Sequence, residues 1–309
     1  MLSSKISVVM ATESYPALTE ALQEEYRVVG LQDSVGGVRA LITTASTGIP
    51  NDQLQRYPDL EMVAVYGVGL DKVDLDYAAS RGLKVANTPG VLDEAVAEHA
   101  MALLLTASRR IAEADDFVRE GEWTRATFPL ARGLSGKLCG IVGLGRIGKR
   151  IARMAEAFGL RIAYHGRHQQ DDVDYEYFED LWALANESDI LILVLPGGPE
   201  TEGLVNTEIL GALGPSGLLV NVARGSVVDE EALIEALEYG DLGGAALDVF
   251  ADEPNVPAAL LALPNVVLTP HLGSATEETR QAMLDLTLDN LRAHFAGDPA
   301  PGAVNLPTP

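Results

Sequence analysis

The sequence predicts an α/β protein of two domains, each built around a mostly parallel sheet. Three observations carry that expectation. Short runs rich in β-branched residues alternate with amphipathic helical patterns throughout. At 309 residues the chain is too long for one comfortable core. A glycine-rich turn, Gly143-Leu144-Gly145-Arg146-Ile147-Gly148, stands between a strand pattern and a helix pattern.

In chain order, the first half reads as strand Ile6–Met10, helix Pro16–Glu25, strand Arg27–Gly30 and strand Ala40–Thr43. Helix Asp52–Arg56, strand Met62–Tyr66, helix Leu75–Ser80 and strand Leu83–Ala86 follow. Pro16 suits the first turn of its helix, where a missing N–H sacrifices no bond. A long helical pattern begins near Asp93 and runs beyond Arg110, with Ala97, Met101, Leu104 and Leu105 on one face. It reads as a connector between domains.

The second half supplies strands Leu138–Val142, Arg161–His165, Ile190–Leu195, Leu218–Val222, Ala245–Val249 and Val266–Thr269, and so a six-stranded doubly wound sheet. Ser274-Ala275-Thr276-Glu277 has the capping-box spacing ahead of a last helix reaching about Phe295. The tail from Gly297, rich in Pro and Gly, is expected to return to the first domain.

Composition narrows the function. An apolar share of 47% with 22% charged residues is ordinary for a globular protein. The net charge of -23 repels nucleic acid and anionic membrane, so neither is an expected partner. It also repels anionic substrates, so an anion site must concentrate cations or backbone N–H groups locally. The single cysteine, Cys139, lies in an apolar strand pattern and suits a reducing, cytoplasmic setting. The apolar run Ile6–Met10 is soon followed by Glu13, a poor match to a secretory leader. Met101–Leu105 is too short an apolar run to span a membrane.

In the glycine turn, Gly143, Gly145 and Gly148 permit a tight bend, close approach of a pyrophosphate and packing of helix on strand. The helix start offers N–H groups and a positive dipole to phosphates. This predicts dinucleotide binding. Cofactor choice is read at the end of the next strand, Tyr164-His165-Gly166-Arg167-His168. No carboxylate stands there for ribose hydroxyls, and Asp171 and Asp172 fall beyond expected reach. Arg167 suits a 2′-phosphate instead. NADP is therefore preferred, with NAD possible.

Three further segments each follow a predicted strand: Val222-Ala223-Arg224-Gly225, Asp248 to Glu253-Pro254, and Thr269-Pro270-His271-Leu272-Gly273. Strand carboxyl ends are where open α/β sheets hold ligands. Arg224 can orient a 2-oxo acid through two N–H donors. His271 supplies an imidazole, the side chain most often used to deliver a proton to a developing alkoxide. Glu253, bonded to His271, would favour the imidazolium and fix its ring. Asp248 is placed to bond a nicotinamide carboxamide. No metal is required.

On these motifs, together with Asn221-Val222-Ala223-Arg224-Gly225-Ser226-Val227-Val228-Asp229, the chain resembles the D-isomer-specific 2-hydroxyacid dehydrogenases over nearly its full length. The resemblance implies a doubly wound Rossmann dinucleotide-binding domain over residues 97–282. It also implies a smaller flavodoxin-like α/β substrate domain over residues 1–96, completed by 283–309, and a homodimer. Arg224, Glu253 and His271 become the catalytic set, with His271 the acid/base. Arg146 and Ile147 would meet the pyrophosphate, Leu195, Pro196 and Thr201 would line the cofactor, and Val222, Ala223 and Gly273 would lie by it. Tyr66-Gly67-Val68-Gly69 matches the carboxylate loop, in which the N–H groups of Val68 and Gly69 bind substrate. Trp123–Leu134 matches the arm that crosses the dimer contact.

Within the family, Gly69–Asp74 and Tyr164–Arg167 look most like the NADPH-dependent glyoxylate/hydroxypyruvate reductases. Hydroxyphenylpyruvate-type reductases are the alternative. A nucleotide-sensing interaction protein of the same fold would need no proton donor.

Overall fold

Strands that read as continuous apolar runs are buried on both faces. Met62–Tyr66 and Leu138–Val142 are buried at every position, as parallel sheets covered by helices require. The computed structural model describes residues 5–12, 15–31 and 36–306; Glu13 lies outside them. Contacts divide the chain into two units, Met1–Leu92 with Thr276–Pro309, and Asp93–Ala275. This division falls ahead of the boundaries expected after residues 96 and 282. Asp93 opens one long helix and Thr276 caps another, so each helix stays whole within one unit.

The first unit begins β1 (Ser7–Met10), α1 (Pro16–Glu25), β2 (Arg27–Gly30), β3 (Val38–Thr44), α2 (Asn51–Gln55), β4 (Met62–Tyr66), α3 (Leu75–Ser80) and β5 (Lys84–Ala86). Its sheet runs β2-β1-β3-β4-β5, all parallel, which is the flavodoxin-like order. Pro16 does open α1.

The second unit holds α4 (Asp93–Arg109), α5 (Ile111–Arg119), β6 (Leu138–Val142), α6 (Arg146–Ala157), β7 (Arg161–His165) and β8 (Glu176–Phe178). It continues with α7 (Leu181–Glu187), β9 (Ile190–Leu193), α8 (Thr207–Leu213), β10 (Leu218–Asn221), α9 (Glu230–Tyr239), β11 (Gly244–Leu247), α10 (Ala258–Ala262) and β12 (Val266–Leu268). The sheet runs β12-β11-β10-β9-β6-β7-β8 and has seven strands where six were expected. The omitted strand, β8, is three residues at a sheet edge and not fully buried anywhere. No apolar run marks it. The order reverses between β6 and β9, the topological switch point of a Rossmann sheet.

Two further expectations need correction. The long helix does not pass Arg110: that residue adopts φ +54, and a new helix starts at Ile111. Left-handed geometry in a non-glycine residue stops an α-helix. The last helix, α11 (Glu277–Ala296), is capped by Thr276, whose Oγ1 accepts from Thr279 N at 3.1 Å, and not by Ser274.

The tail returns to the first unit. Asn87 N donates to Gly302 O at 3.0 Å and Val304 N to Val85 O at 2.9 Å, extending the edge at β5. Asn290 of α11 secures the join, giving Nδ2 to Asn87 O and accepting Gly302 N at 2.7 Å. In the second unit, Cys139 is fully buried, and burial pushes its thiol up to about 12. It is a core residue. Among the described residues no helix is long and apolar enough to cross a membrane.

Candidate active site

The glycine turn between β6 and α6 shows what each glycine does. Gly143 has φ +99, and a Cβ there would lie 2.7 Å from Val194 O. A Cβ at Gly148 would stand 2.3 Å from Gly143 O. At Gly145 the corresponding space is open, with no atom within 4 Å. Two glycines thus serve packing, and the third leaves room for a group from outside. α6 has no side-chain cap and no acid in its first turn, whereas Asp74, Asp180, Asn206, Asp229 and Thr276 cap their helices. Uncapped N–H groups beside open space fit a pyrophosphate.

At the carboxyl end of β10, buried Asn221 shapes the next turn. Its Oδ1 accepts from Ala223 N at 3.0 Å and its Nδ2 donates to Arg224 O at 3.0 Å. Arg224 Nη1 donates to Ala223 O at 2.7 Å. Gly225 is obligatory, since a Cβ there would fall 1.9 Å from the carbonyl carbon of Phe250. The Arg224 turn therefore lies directly on the loop that carries Glu253.

Glu253 Oε1 accepts from Phe250 N at 3.1 Å, and Glu253 Oε2 lies 2.7 Å from His271 Nδ1. Both side chains stay partly accessible, at 25% and 35%. His271 takes φ +54, uncommon for a residue with a Cβ. Its N–H points to Asp248 O at 2.9 Å and Thr269 O at 3.0 Å.

Asp248, expected at the nicotinamide carboxamide, directs its side chain into the protein. Its Oδ1 receives Leu272 N and Thr269 Oγ1, each at 2.7 Å, and His99 Nε2 at 3.0 Å. Its Oδ2 receives Gly273 N at 2.8 Å. Four donors match what a carboxylate can accept. Burial alone would raise this carboxyl; the bonds from His99, Thr269 and Leu272, with the His99 charge, outweigh it and hold it below the usual range. Asp248 thereby shapes the turn that presents His271. His99 was missed in the sequence because α4 precedes the glycine turn and no local motif marks it.

The cofactor-choice loop differs from expectation in one respect. Asp171 and Asp172, placed beyond reach, line an open cavity of about 510 Å³ with Gly145, Arg146, Lys149 and His168. The loop folds back because Gln170 N meets Tyr164 OH at 2.7 Å and Gln170 Nε2 meets Leu144 O at 2.6 Å. Asp172 is bound to Lys149 at 2.6 Å. Arg167 is exposed. Arg146 is also largely exposed, with Nε 3.1 Å from buried Asp93. Thr201 Oγ1 closes its own turn on Pro196 O at 2.9 Å, while Ile147, Leu195 and Val222 are half-buried against the core.

In the first unit, Gly67 has φ +139, and its N–H meets Thr88 Oγ1 at 3.1 Å. Asn87 Nδ2 holds Val68 O at 2.8 Å. Among the described residues nothing accepts from the N–H groups of Val68 and Gly69.

Residues 101–273, more than half of the chain, match the model of the D-isomer specific 2-hydroxyacid dehydrogenase NAD binding domain. The chain belongs to the D-isomer-specific 2-hydroxyacid dehydrogenase family. It is, with that family, an NAD(P)-dependent oxidoreductase. It is 47% identical to glyoxylate/hydroxypyruvate reductase A of Arabidopsis thaliana over 267 residues, 86% of this chain and 85% of that one. Over 262 residues, 85% of this chain and 84% of the other, it is 47% identical to hydroxyphenylpyruvate reductase of Plectranthus scutellarioides. Among solved structures, the NADPH-dependent glyoxylate/hydroxypyruvate reductase of Sinorhizobium meliloti, in complex with NADP and malonate, superposes with a TM-score of 0.93 at 42% identity. That match covers 97% of each chain. In this 2-hydroxyacid dehydrogenase the NAD-binding match ends at Gly273, so it includes Arg224, Glu253 and His271.

Proposed function

We propose that this dehydrogenase reduces small 2-oxo acids of the glyoxylate and hydroxypyruvate type to 2-hydroxy acids with NADPH. The contact of Glu253 with His271 at 2.7 Å, on loops beyond β11 and β12 of a dinucleotide-binding sheet, carries the reading. The bound cofactor supplies a hydride to C2. His271 gives a proton to the carbonyl oxygen, so C–H and O–H bonds form as the C=O π bond breaks. Glu253 holds the ring by Nδ1 and stabilises its charged form. Arg224 orients the substrate and polarises C=O, and the N–H groups of Val68 and Gly69 receive its carboxylate.

NADPH is the preferred donor on two grounds: exposed Arg167 and the NADP complex of the S. meliloti relative. NADH is the alternative. The equal identity to the Plectranthus enzyme favours hydroxyphenylpyruvate as a second substrate class. A pure nucleotide sensor has no use for the Glu253–His271 pair.

Absorbance assays with glyoxylate, hydroxypyruvate and hydroxyphenylpyruvate, each with NADPH and NADH, test the reading. Turnover of either small acid with NADPH is expected. Cofactor binding without turnover of any 2-oxo acid would overturn it. We also propose a cytoplasmic homodimer. Exposed Ile111, Val118, Trp123 and Leu130 on α5 and the arm beyond it support the assembly, and light scattering at monomer mass would refute it.

A further inference from the structure

Among the described residues Arg280 is a cation without a counter-ion, in a protein of net charge -23. It is half-buried in the first turn of α11, and among the described residues no carboxylate pairs with it. The position is electrostatically unfavourable, because a helix N-terminus carries positive partial charge. A remedy stands nearby: Glu277 is three residues earlier, a spacing at which helical ion pairs form. On the same helix Arg292 pairs in that way with Asp289 at 2.9 Å. Arg280 forgoes the pairing.

Two tyrosines hold it instead. Its guanidinium carbon lies 5.2 Å from the ring centre of Tyr15 and 5.9 Å from that of Tyr66. The rings themselves are 5.1 Å apart and tilted by 52°. Tyr66 is buried and donates its hydroxyl to Arg280 O at 3.0 Å. Burial raises the Tyr66 phenol, with the Arg280 charge acting in the opposite sense, so it remains a neutral donor. Aromatic faces restrain a guanidinium, whose donors radiate from the edge of its plane.

The location points to a ligand. Tyr66 ends β4 and Tyr15 follows β1, which places Arg280 at the carboxyl edge of the five-stranded sheet, where open α/β sheets bind ligands. Tyr66 runs straight into Gly67-Val68-Gly69, where the N–H groups of Val68 and Gly69 meet no acceptor among the described residues. Its register partner, Thr44, opens a turn carrying the hydroxyls of Ser46 and Thr47. In an acidic field that repels anions, a fixed uncompensated cation beside such a loop is what an anionic or polar substrate requires.

We infer that Arg280 is a specificity-determining residue that recognises a polar or anionic group on C3 of the 2-oxo acid. The inference rests on the reductase reading and narrows its substrate class: 3-hydroxy and 3-carboxy 2-oxo acids over pyruvate, whose C3 is apolar.

The test compares kcat/KM for hydroxypyruvate and pyruvate in the wild type, Arg280→Met and Arg280→Lys. In Arg280→Met the preference for hydroxypyruvate falls at least about tenfold, the scale of one charge-assisted hydrogen bond. Arg280→Lys gives an intermediate ratio, and carries the comparison alone should the Met variant fail to fold. An unchanged ratio would overturn the inference. Calorimetric titration of the protein–NADP complex with tartronate, a 2-hydroxy dicarboxylate, reads the same subsite without turnover. Affinity falling at least about tenfold in Arg280→Met supports it, and equal affinity sinks it. A wild type that binds tartronate through Arg280 yet reduces no 2-oxo acid would remove the reductase reading and keep the subsite.

Discussion

The Glu253 carboxylate stands 2.7 Å from Nδ1 of His271, eighteen residues along the chain, while its other oxygen is held by Phe250 N. That contact leaves Nε2 as the ring nitrogen available to a substrate oxygen. Removing the imidazole should therefore damage chemistry more than binding. His271→Ala is expected to lower kcat by roughly 10²–10⁴, and Glu253→Gln by about tenfold or more. NADPH affinity, followed by fluorescence titration, should change little in either. Wild-type turnover in His271→Ala would refute the proton-donor role.

Gly145 and Gly225 look alike in sequence but answer to different demands. Gly145→Ala places a methyl group in open space, so its melting temperature should match the wild type while NADPH binds more weakly. Gly225→Ala drives a Cβ into the Phe250 backbone and should cost about 1–3 kcal/mol or more in stability. Chemical denaturation together with cofactor titration separates the two effects.

Asp248 links stability to pH. Its folded carboxyl titrates below the usual value, so its contribution is complete above the unfolded value and is lost as pH falls through the folded one. The wild-type melting temperature should therefore drop in acid, below about pH 4. Asp248→Asn should be less stable at neutral pH, with a shallower acid limb. Parallel limbs in thermal scans from neutral to acid pH would contradict this.

Arg167 is exposed, and the proposed use of NADPH has its guanidinium meet the 2′-phosphate. Arg167→Ala should weaken NADPH by about tenfold and leave NADH unchanged, since only NADPH carries that phosphate. Equal losses for both cofactors would place the arginine elsewhere on the dinucleotide.

Local chemistry made much of this protein legible in advance. Period and β-branching placed β4, β6 and β7 to the residue, because each is a run whose burial is decided by its own side chains. Glycine spacing marked the cofactor turn, since tight bends and close approaches exclude a Cβ. Strand ends located Arg224, Glu253 and His271. Tertiary structure decided what depends on partners distant in sequence. β8 has no apolar run and exists by pairing with β7. Asp248 became the support of the His271 turn because His99, 149 residues away, and the N–H groups of Leu272 and Gly273 fill its oxygens. Arg280 left Glu277 for two tyrosines brought to it by a sheet. Propensity and spacing act over a few residues, whereas the satisfaction of a buried charge is settled only when the chain has closed around it.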